Sequence, residues 1–217
     1  MDFDLERFKR DIAQHEMHVI RDEGLHRHLR FKKPGTYAMH FDLITWPGYL
    51  CYTGDMGTYV FRRLDDMFQF FRKEPNRPEF RIDLSYWAEK LEATDKGQGV
   101  QEFCPQKFER AVKTDVISWI RDNRDRTTRA ERRELWDDVM DSVINADGDR
   151  DGLRKQIAAH DFSHRVNAKL SFHFQDFWDH TVTRYTYRFV WCCCALQWAV
   201  GQYDGRKAEA AREGATS

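Results

Sequence analysis

YAMHFDLITWPGYLCYT, Tyr37 to Thr53, decides how this chain folds. From Tyr37 to Trp46 the residues alternate. Tyr37, Met39, Phe41 and Leu43 share one face of an extended chain, with His40 and Asp42 on the other. Trp46-Pro47-Gly48-Tyr49 then reads as a turn, with proline second and glycine third, which suits type II geometry. Tyr49 to Thr53 returns antiparallel. Setting Trp46 opposite Tyr49 places Ile44 against Cys51, Asp42 against Thr53 and His40 against Asp55.

Reading outward toward the start, Asp4 caps a short helix with Leu5, Phe8 and Ile12 on one face. A strand-like run follows, with Met17 and Val19 on one side and His18 and Ile20 on the other. Asp22-Glu23-Gly24 is a turn. The next run sets Leu25, Leu29 and Phe31 against His26, His28 and Arg30, and Pro34-Gly35 ends it. Beyond the hairpin, Tyr59 to Arg62 forms another strand, and Asp65 opens a helix carrying Met67, Phe68 and Phe71. Residues 1–75 are thus expected to form an antiparallel meander with flanking helices.

Glu74-Pro75-Asn76-Arg77-Pro78 cannot continue a helix, and a subdomain boundary is expected there. After it the apolar period changes from 2 residues toward 3.6. Asp83 leads into a helix with Leu84, Trp87 and Leu91 inward. Pro105 leads into one with Phe108, Val112, Trp119 and Ile120. Thr128 and Glu131 form a capping box ahead of Leu135, Trp136, Val139, Met140 and Val143. Leu153 and Ile157 mark a shorter helix. Val182 to Tyr203 is apolar on nearly all sides and is assigned to a central buried helix from about Tyr185, although Thr181 to Tyr187 also alternates like a strand. The expectation is an α+β chain: a sheet subdomain over 1–75, a helical subdomain over 79–204 and a flexible tail over 205–217.

Charge and cysteine usage narrow the function classes. Lys+Arg 35 against Asp+Glu 36 gives a net charge of -1, so the chain has no global pull toward nucleic acid or anionic lipid. Cys51, Cys104, Cys192, Cys193 and Cys194 lack C-x-x-C spacing and read as reduced, packed thiols. The first residues are charged, with no secretory apolar run, and the longest apolar run, Phe189 to Leu196, is far short of a membrane span. A cytoplasmic protein without a membrane segment or cofactor is expected.

Two segments carry a resemblance. MHFDLITWPGYLCYTGDMGTYVFRRLDDMFQFF (Met39 to Phe71) and WCCCALQWAVGQY (Trp191 to Tyr203) resemble a family of uncharacterised proteins encoded by tailed phages and prophages of proteobacteria. The resemblance implies an accessory protein acting inside the host cell, by binding host or defence machinery. It implies no catalytic or binding residue.

The candidate site residues come from the strands. His18, His26, His28 and His40 fall on the face away from the aliphatic residues, together with Asp42 and Asp55. Such a His/carboxylate cluster can ligate a divalent metal or supply a general base. His40 and Asp55 are the weak metal candidates. A solvated or partner-covered polar face accounts for the same residues without chemistry. Trp46, beside Pro47, is expected at the surface as a protein-contact anchor. Cys51 lies near His40 in this register but faces Ile44, which suits packing better than nucleophilic chemistry.

Elsewhere, Asp147 to Gly152 copies the opening of a calcium loop, but the twelfth position is Ala158 where a bidentate Glu is required, so the segment reads as a linker. His160, Asp161, His164, His173, Asp176, Asp179 and His180 make a second His/acid cluster in sequence. Arg27, Arg30, Lys32 and Lys33, with Arg62 and Arg63, offer a basic patch. The arginines from Arg121 to Arg133 alternate with acids as on a salt-bridged helix face. The favoured expectation is a non-catalytic binder of a host or defence macromolecule, most readily a protein. The alternatives are a metal-dependent hydrolase or nuclease and a nucleic-acid binder.

Overall fold

The computed structural model describes residues 3–76, 78–97, 99–148 and 152–215. In chain order the elements are α1 (Leu5–Ile12), β1 (Glu16–Glu23), β2 (His26–Lys32), β3 (Phe41–Trp46), β4 (Tyr49–Gly54), β5 (Gly57–Arg62), α2 (Met67–Phe71), α3 (Leu84–Ala88) and β6 (Leu91–Thr94). They continue as β7 (Gln101–Phe103), α4 (Pro105–Asp122), α5 (Arg129–Val139), α6 (Leu153–Asp161), β8 (Ser163–Arg165), β9 (Ser171–His173), β10 (Thr183–Tyr185) and α7 (Tyr187–Ala215). The class is α+β. The chain divides into two units, Met1–Val100 with Tyr185–Ser217, and Gln101–Arg184.

In the first unit the strands form one six-stranded sheet in the order β1 to β6, each pairing antiparallel with the next. The hairpin has the register read from the sequence: Trp46 opposite Tyr49, Ile44 opposite Cys51, Asp42 opposite Thr53. Gly48 has φ 84, the left-handed value that the third position of a type II turn requires. One sheet face carries Leu29, Phe31, Phe41, Leu43, Leu50, Tyr52, Tyr59 and Phe61, all buried. Phe8 and Ile12 of α1, Met67, Phe68 and Phe71 of α2, Trp87 of α3 and the apolar run of α7 complete that core. The Asp4 carboxylate caps α1 by accepting from the Glu6 and Arg7 backbone N–H groups. Along α7, Phe189, Trp191, Cys192, Cys193, Ala195, Leu196, Ala199 and Val200 are inaccessible to solvent, as a helix apolar all round must be.

The second unit has its own core of Phe108, Val112 and Val116 from α4, Leu135 and Val139 from α5, and Ala159, Phe162, Phe172, Phe174 and Phe177. Pro105 occupies the first turn of α4. The Thr128/Glu131 capping box starts α5, which runs on as a π-helical turn over Met140–Ile144. Two short sheets, β8 with β9 and β7 with β10, complete the unit.

Several expectations are corrected. The third strand begins at Phe41, because Met39 is left-handed (φ 58) and Tyr37 is turned out to solvent. A bulge between Val19 and Arg21 shifts the β1 register, so the alternation expected through Ile20 breaks there. Asp66, not Asp65, caps α2. The helix begun by Asp83 stops at Ala88, and Leu91 opens β6 opposite Phe61. The proline-rich segment is therefore not a boundary of the sheet: β6 and α7, placed in a helical subdomain, belong with β1 to β5. Thr183–Tyr185 is a strand and the last helix starts at Tyr187. It continues to Ala215, through the segment expected as a tail. Leu153 and Ile157 are exposed, since Ala159 is the buried position of α6. Of the calcium-like stretch, Asp149, Arg150 and Asp151 lie outside the described residues.

Gly54 ends β4 where the chain approaches the start of β3. A Cβ there would overlap the His40 carbonyl oxygen and the Phe41 Cα. That carbonyl is fixed, because it accepts the Asp55 N–H at 3.1 Å. Gly54→Ala is therefore expected to lose about 1–3 kcal/mol of stability. Urea unfolding checks it; an unchanged midpoint would remove the argument for a close approach.

Candidate functional site

The second face of the sheet in the first unit is the face the sequence marked. Strand alternation puts His26, His28, Arg30 and Lys32 of β2 there, with Asp42, Ile44 and Trp46 of β3, Tyr49, Cys51 and Thr53 of β4, and Thr58, Val60 and Arg62 of β5. Among the described residues of the unit, none of these side chains joins the core cluster. Three rows cross the face. His18, Arg30, Asp42, Thr53 and Thr58 form one; His28, Ile44, Cys51 and Val60 the next; Trp46, Tyr49 and Arg62 the third.

Asp42 sits at the centre of the first row and is 7% exposed. Arg30 grips it with two hydrogen bonds, Nε to Oδ1 at 2.9 Å and Nη2 to Oδ2 at 2.8 Å. His28 Nε2 donates to Oδ2 at 2.7 Å. Burial pushes the Asp42 carboxyl up, but the bonds from Arg30 and His28 outweigh it and hold the carboxyl below its usual range. A carboxylate committed to three donors from a guanidinium and an imidazole has little capacity left for a metal ion or a proton. Its ionised form stabilises the fold. That contribution is complete at neutral pH and is lost as pH falls below about 4 through the lowered folded value. Asp42→Asn should lower stability at pH 7 yet flatten its decline toward about pH 3, in urea midpoints measured across that range.

His40 and Asp55 do meet, at 3.2 Å between Nδ1 and Oδ1. They clasp a loop. His40 Nδ1 also lies 2.7 Å from the Tyr37 carbonyl oxygen, and Asp55 Oδ2 accepts the Met39 N–H at 2.6 Å. His18 is exposed, 3.9 Å from Glu16. His26 and His28 share a face, but Asp42 engages only His28. The Cys51 thiol is pushed up by burial, opposite to the shift that activates a nucleophile. Arg27 does not belong to the basic patch: it points to the core side and pairs with Asp66.

The second His/acid cluster divides within its own unit: His173, Asp176, Asp179 and His180 line one cleft, and His160, Asp161 and His164 lie outside it. His160 lies beside Asp161 at 2.9 Å, His164 pairs with Asp138 at 2.7 Å, and His180 with Asp115 at 2.8 Å. Asp115 and His180 line a cleft of about 490 Å³ with Trp119, Asp122, His173 and Asp176. Asp115 and Asp138 were not singled out from the sequence. They lie 65 and 26 residues from their partners, and no local pattern signals pairings that long. Among the described residues, no three His, Cys, Asp or Glu side chains come together as a metal-binding group.

The third row differs in kind. Trp46 stacks on Tyr49, ring centroids 5.2 Å apart and planes 14° apart. The Arg62 guanidinium lies over the Tyr49 ring, 5.2 Å from its centroid. Trp46 is 37% exposed, as the sequence suggested. Tyr49 is the residue that the hairpin register sets opposite Trp46; Arg62 has no such local signal, because its pairing with Tyr49 comes from the next hairpin. Beside this ladder run the half-buried apolar side chains of Ile44, Cys51 and Val60.

Comparison with known proteins found no family model, no curated protein and no solved structure that matches the chain. Among the described residues no helix is long and apolar enough to cross a membrane.

Proposed function

We propose that this is a non-catalytic binding protein whose outer sheet face docks an acidic protein surface with an apolar centre. The Trp46–Tyr49–Arg62 ladder carries the reading. Trp, Tyr and Arg are the residues over-represented at the energetic centres of interfaces, and here they are pre-stacked beside an apolar row. Pre-ordering reduces the entropy lost on binding. The preference for an acidic partner rests on what is left uncommitted. Arg30 and Arg21 are taken by Asp42 and Glu23, whereas Arg62 and Lys32 have no ion-pair partner among the described residues. Neighbouring strand residues place Arg62 and Trp46 on opposite sides of Tyr49, so the Tyr49 ring offers no free face for a nucleobase. A base could not stack on Tyr49, and the nuclease arm of the experiment below covers stacking on Trp46. The resemblance to phage and prophage proteins supplies the setting, the host cytoplasm, with a host or defence protein as the partner. The runner-up reading, a metal-dependent hydrolase, has less support because Asp42, His28, His164 and His180 are already paired with a carboxylate, an imidazole or arginine, and no three ligand side chains come together among the described residues.

The experiment is affinity capture from infected host cells with wild type and with Trp46→Ser/Arg62→Ser, both checked for unchanged thermal unfolding. A protein recovered by wild type and reduced at least about tenfold by the double variant supports the reading. Recovery by both chains alike, or loss of the captured species on nuclease treatment, overturns it.

A further inference from the structure

On the core side of the first unit, α2, α3 and α7 frame a cavity of about 370 Å³, within the usual range for small-ligand sites. Phe70, Ile82 and Trp87 give it apolar walls. Phe70 and Trp87 are tilted 42° to each other with ring centroids 5.9 Å apart. Gln197 of α7 lines it and is 9% exposed. Its Oε1 accepts the Phe80 N–H at 2.7 Å, which fixes which end of the amide is oxygen. The amide nitrogen, with two protons to donate, has no partner among the described residues. Unlike the Tyr52 hydroxyl, it is not sealed off but open to the cavity, where an entering acceptor can reach it.

The charged lining residues, Arg72, Glu74, Arg81 and Asp83, are not equivalent, and Glu74 is already engaged. Arg72 is held by Asp204, with Nε to Oδ2 at 2.7 Å and Nη2 to Oδ1 at 2.9 Å. Asp83 caps α3 by accepting the Tyr86 N–H at 3.0 Å. Arg81 lines the cavity and has no ion-pair partner among the described residues. The cavity therefore combines an apolar slot, a neutral donor on its wall, two carboxylates that are already engaged and an uncommitted guanidinium at its rim. We propose that it binds a carboxylate attached to an aromatic or branched apolar group, the chemistry of a free N-acylated amino acid or of a peptide C-terminus. Arg81 and the Gln197 amide would hold the carboxylate, and Phe70 and Trp87 the side group. The site is separate from the outer sheet face, and its failure would leave the docking proposal standing.

The test is an amide-resolved NMR titration of the full chain with N-acetyl-L-phenylalanine at neutral pH. Saturable shifts at the Gln197 side-chain amide and the Trp87 indole are expected. Binding should weaken about tenfold for the neutral N-acetyl-L-phenylalanine amide, and similarly for Arg81→Gln, an exposed change that does not threaten the fold. Gln197→Glu keeps an oxygen for the Phe80 N–H but sets a carboxylate where the donor was, and should abolish binding of the acid. A tripeptide ending in free phenylalanine binding more tightly than the N-acetyl acid assigns the peptide source; weaker binding assigns the free acid. Non-saturating shifts, equal affinity for the neutral amide, or no effect of Arg81→Gln overturn the proposal.

Discussion

Replacing Arg27 by Met is expected to cost about 3–5 kcal/mol, because it leaves the Asp66 carboxylate, only 16% exposed, without its counter-charge. Arg27 lies in phase with Leu29 and Phe31 on the core face of β2 and is 9% exposed. Its Nη1 and Nη2 donate to Asp66 Oδ1 and Oδ2 at 2.8 and 3.3 Å. Its guanidinium packs over Phe68 at 4.6 Å and Tyr203 at 5.5 Å. Burial would draw the guanidinium pKa down, yet hydrogen bonding to Asp66 keeps it raised, so Arg27 stays charged. Asp66 has a second duty, accepting the Phe68 N–H as the cap of α2. Asp66→Asn can keep that cap while losing the charge. The double variant Arg27→Met/Asp66→Asn should therefore recover most of what Arg27→Met alone loses. Urea unfolding of the four chains in a double-mutant cycle reads this directly. A loss below about 1 kcal/mol for Arg27→Met would mean that Asp66 is solvated and the pair is ornamental.

The parts of the fold that could be read were those whose cause is local. The Trp46–Tyr49 register follows from a two-residue turn with proline and glycine in fixed places, and alternation then propagates it along both strands. The Thr128/Glu131 cap is local in the same way. What could not be read depends on distant partners. β6 to β10 are three or four residues long, too short to show a period, and exist because a neighbour supplies the hydrogen bonds. Leu91 has an apolar side chain suited to a helix face or a strand alike, and pairing with Phe61 decides the matter. The unit boundaries fall at Val100/Gln101, where the composition does not change, and at Arg184/Tyr185, just inside the apolar run from Val182, while the conspicuous prolines Pro75 and Pro78 lie inside one unit.

The site residues divide along the same line. Alternation correctly gathered His26, His28 and Asp42 on one face, but a phase argument gives no hydrogen-bond census. Asp42 is occupied by Arg30 as well as by His28, and this occupancy turns a would-be reactive cluster into a rigid strut. Arg27 and Arg30 are three residues apart and looked like members of one basic patch. Opposite strand parity sends one into the core and the other to the surface.

The largest single loss outside the ion pair is expected at Trp191. It is fully buried in the second turn of α7 and meets Phe8 edge-on at 5.2 Å and Phe41 at 5.8 Å. Its indole N–H donates to Asp11 Oδ2 at 3.2 Å. One side chain thus joins α1, the sheet and α7. Trp191→Ala should cost about 3–5 kcal/mol through the cavity it leaves among aromatic rings that cannot collapse. Trp191→Phe should cost less, since it keeps an edge-to-face partner for Phe8 and gives up the bond to Asp11. Thermal and urea unfolding of both variants give the order Ala below Phe below wild type. If Phe proves as damaging as Ala, the Asp11 hydrogen bond rather than the packing holds α1 in place, and Asp11→Ala should then reproduce the whole loss.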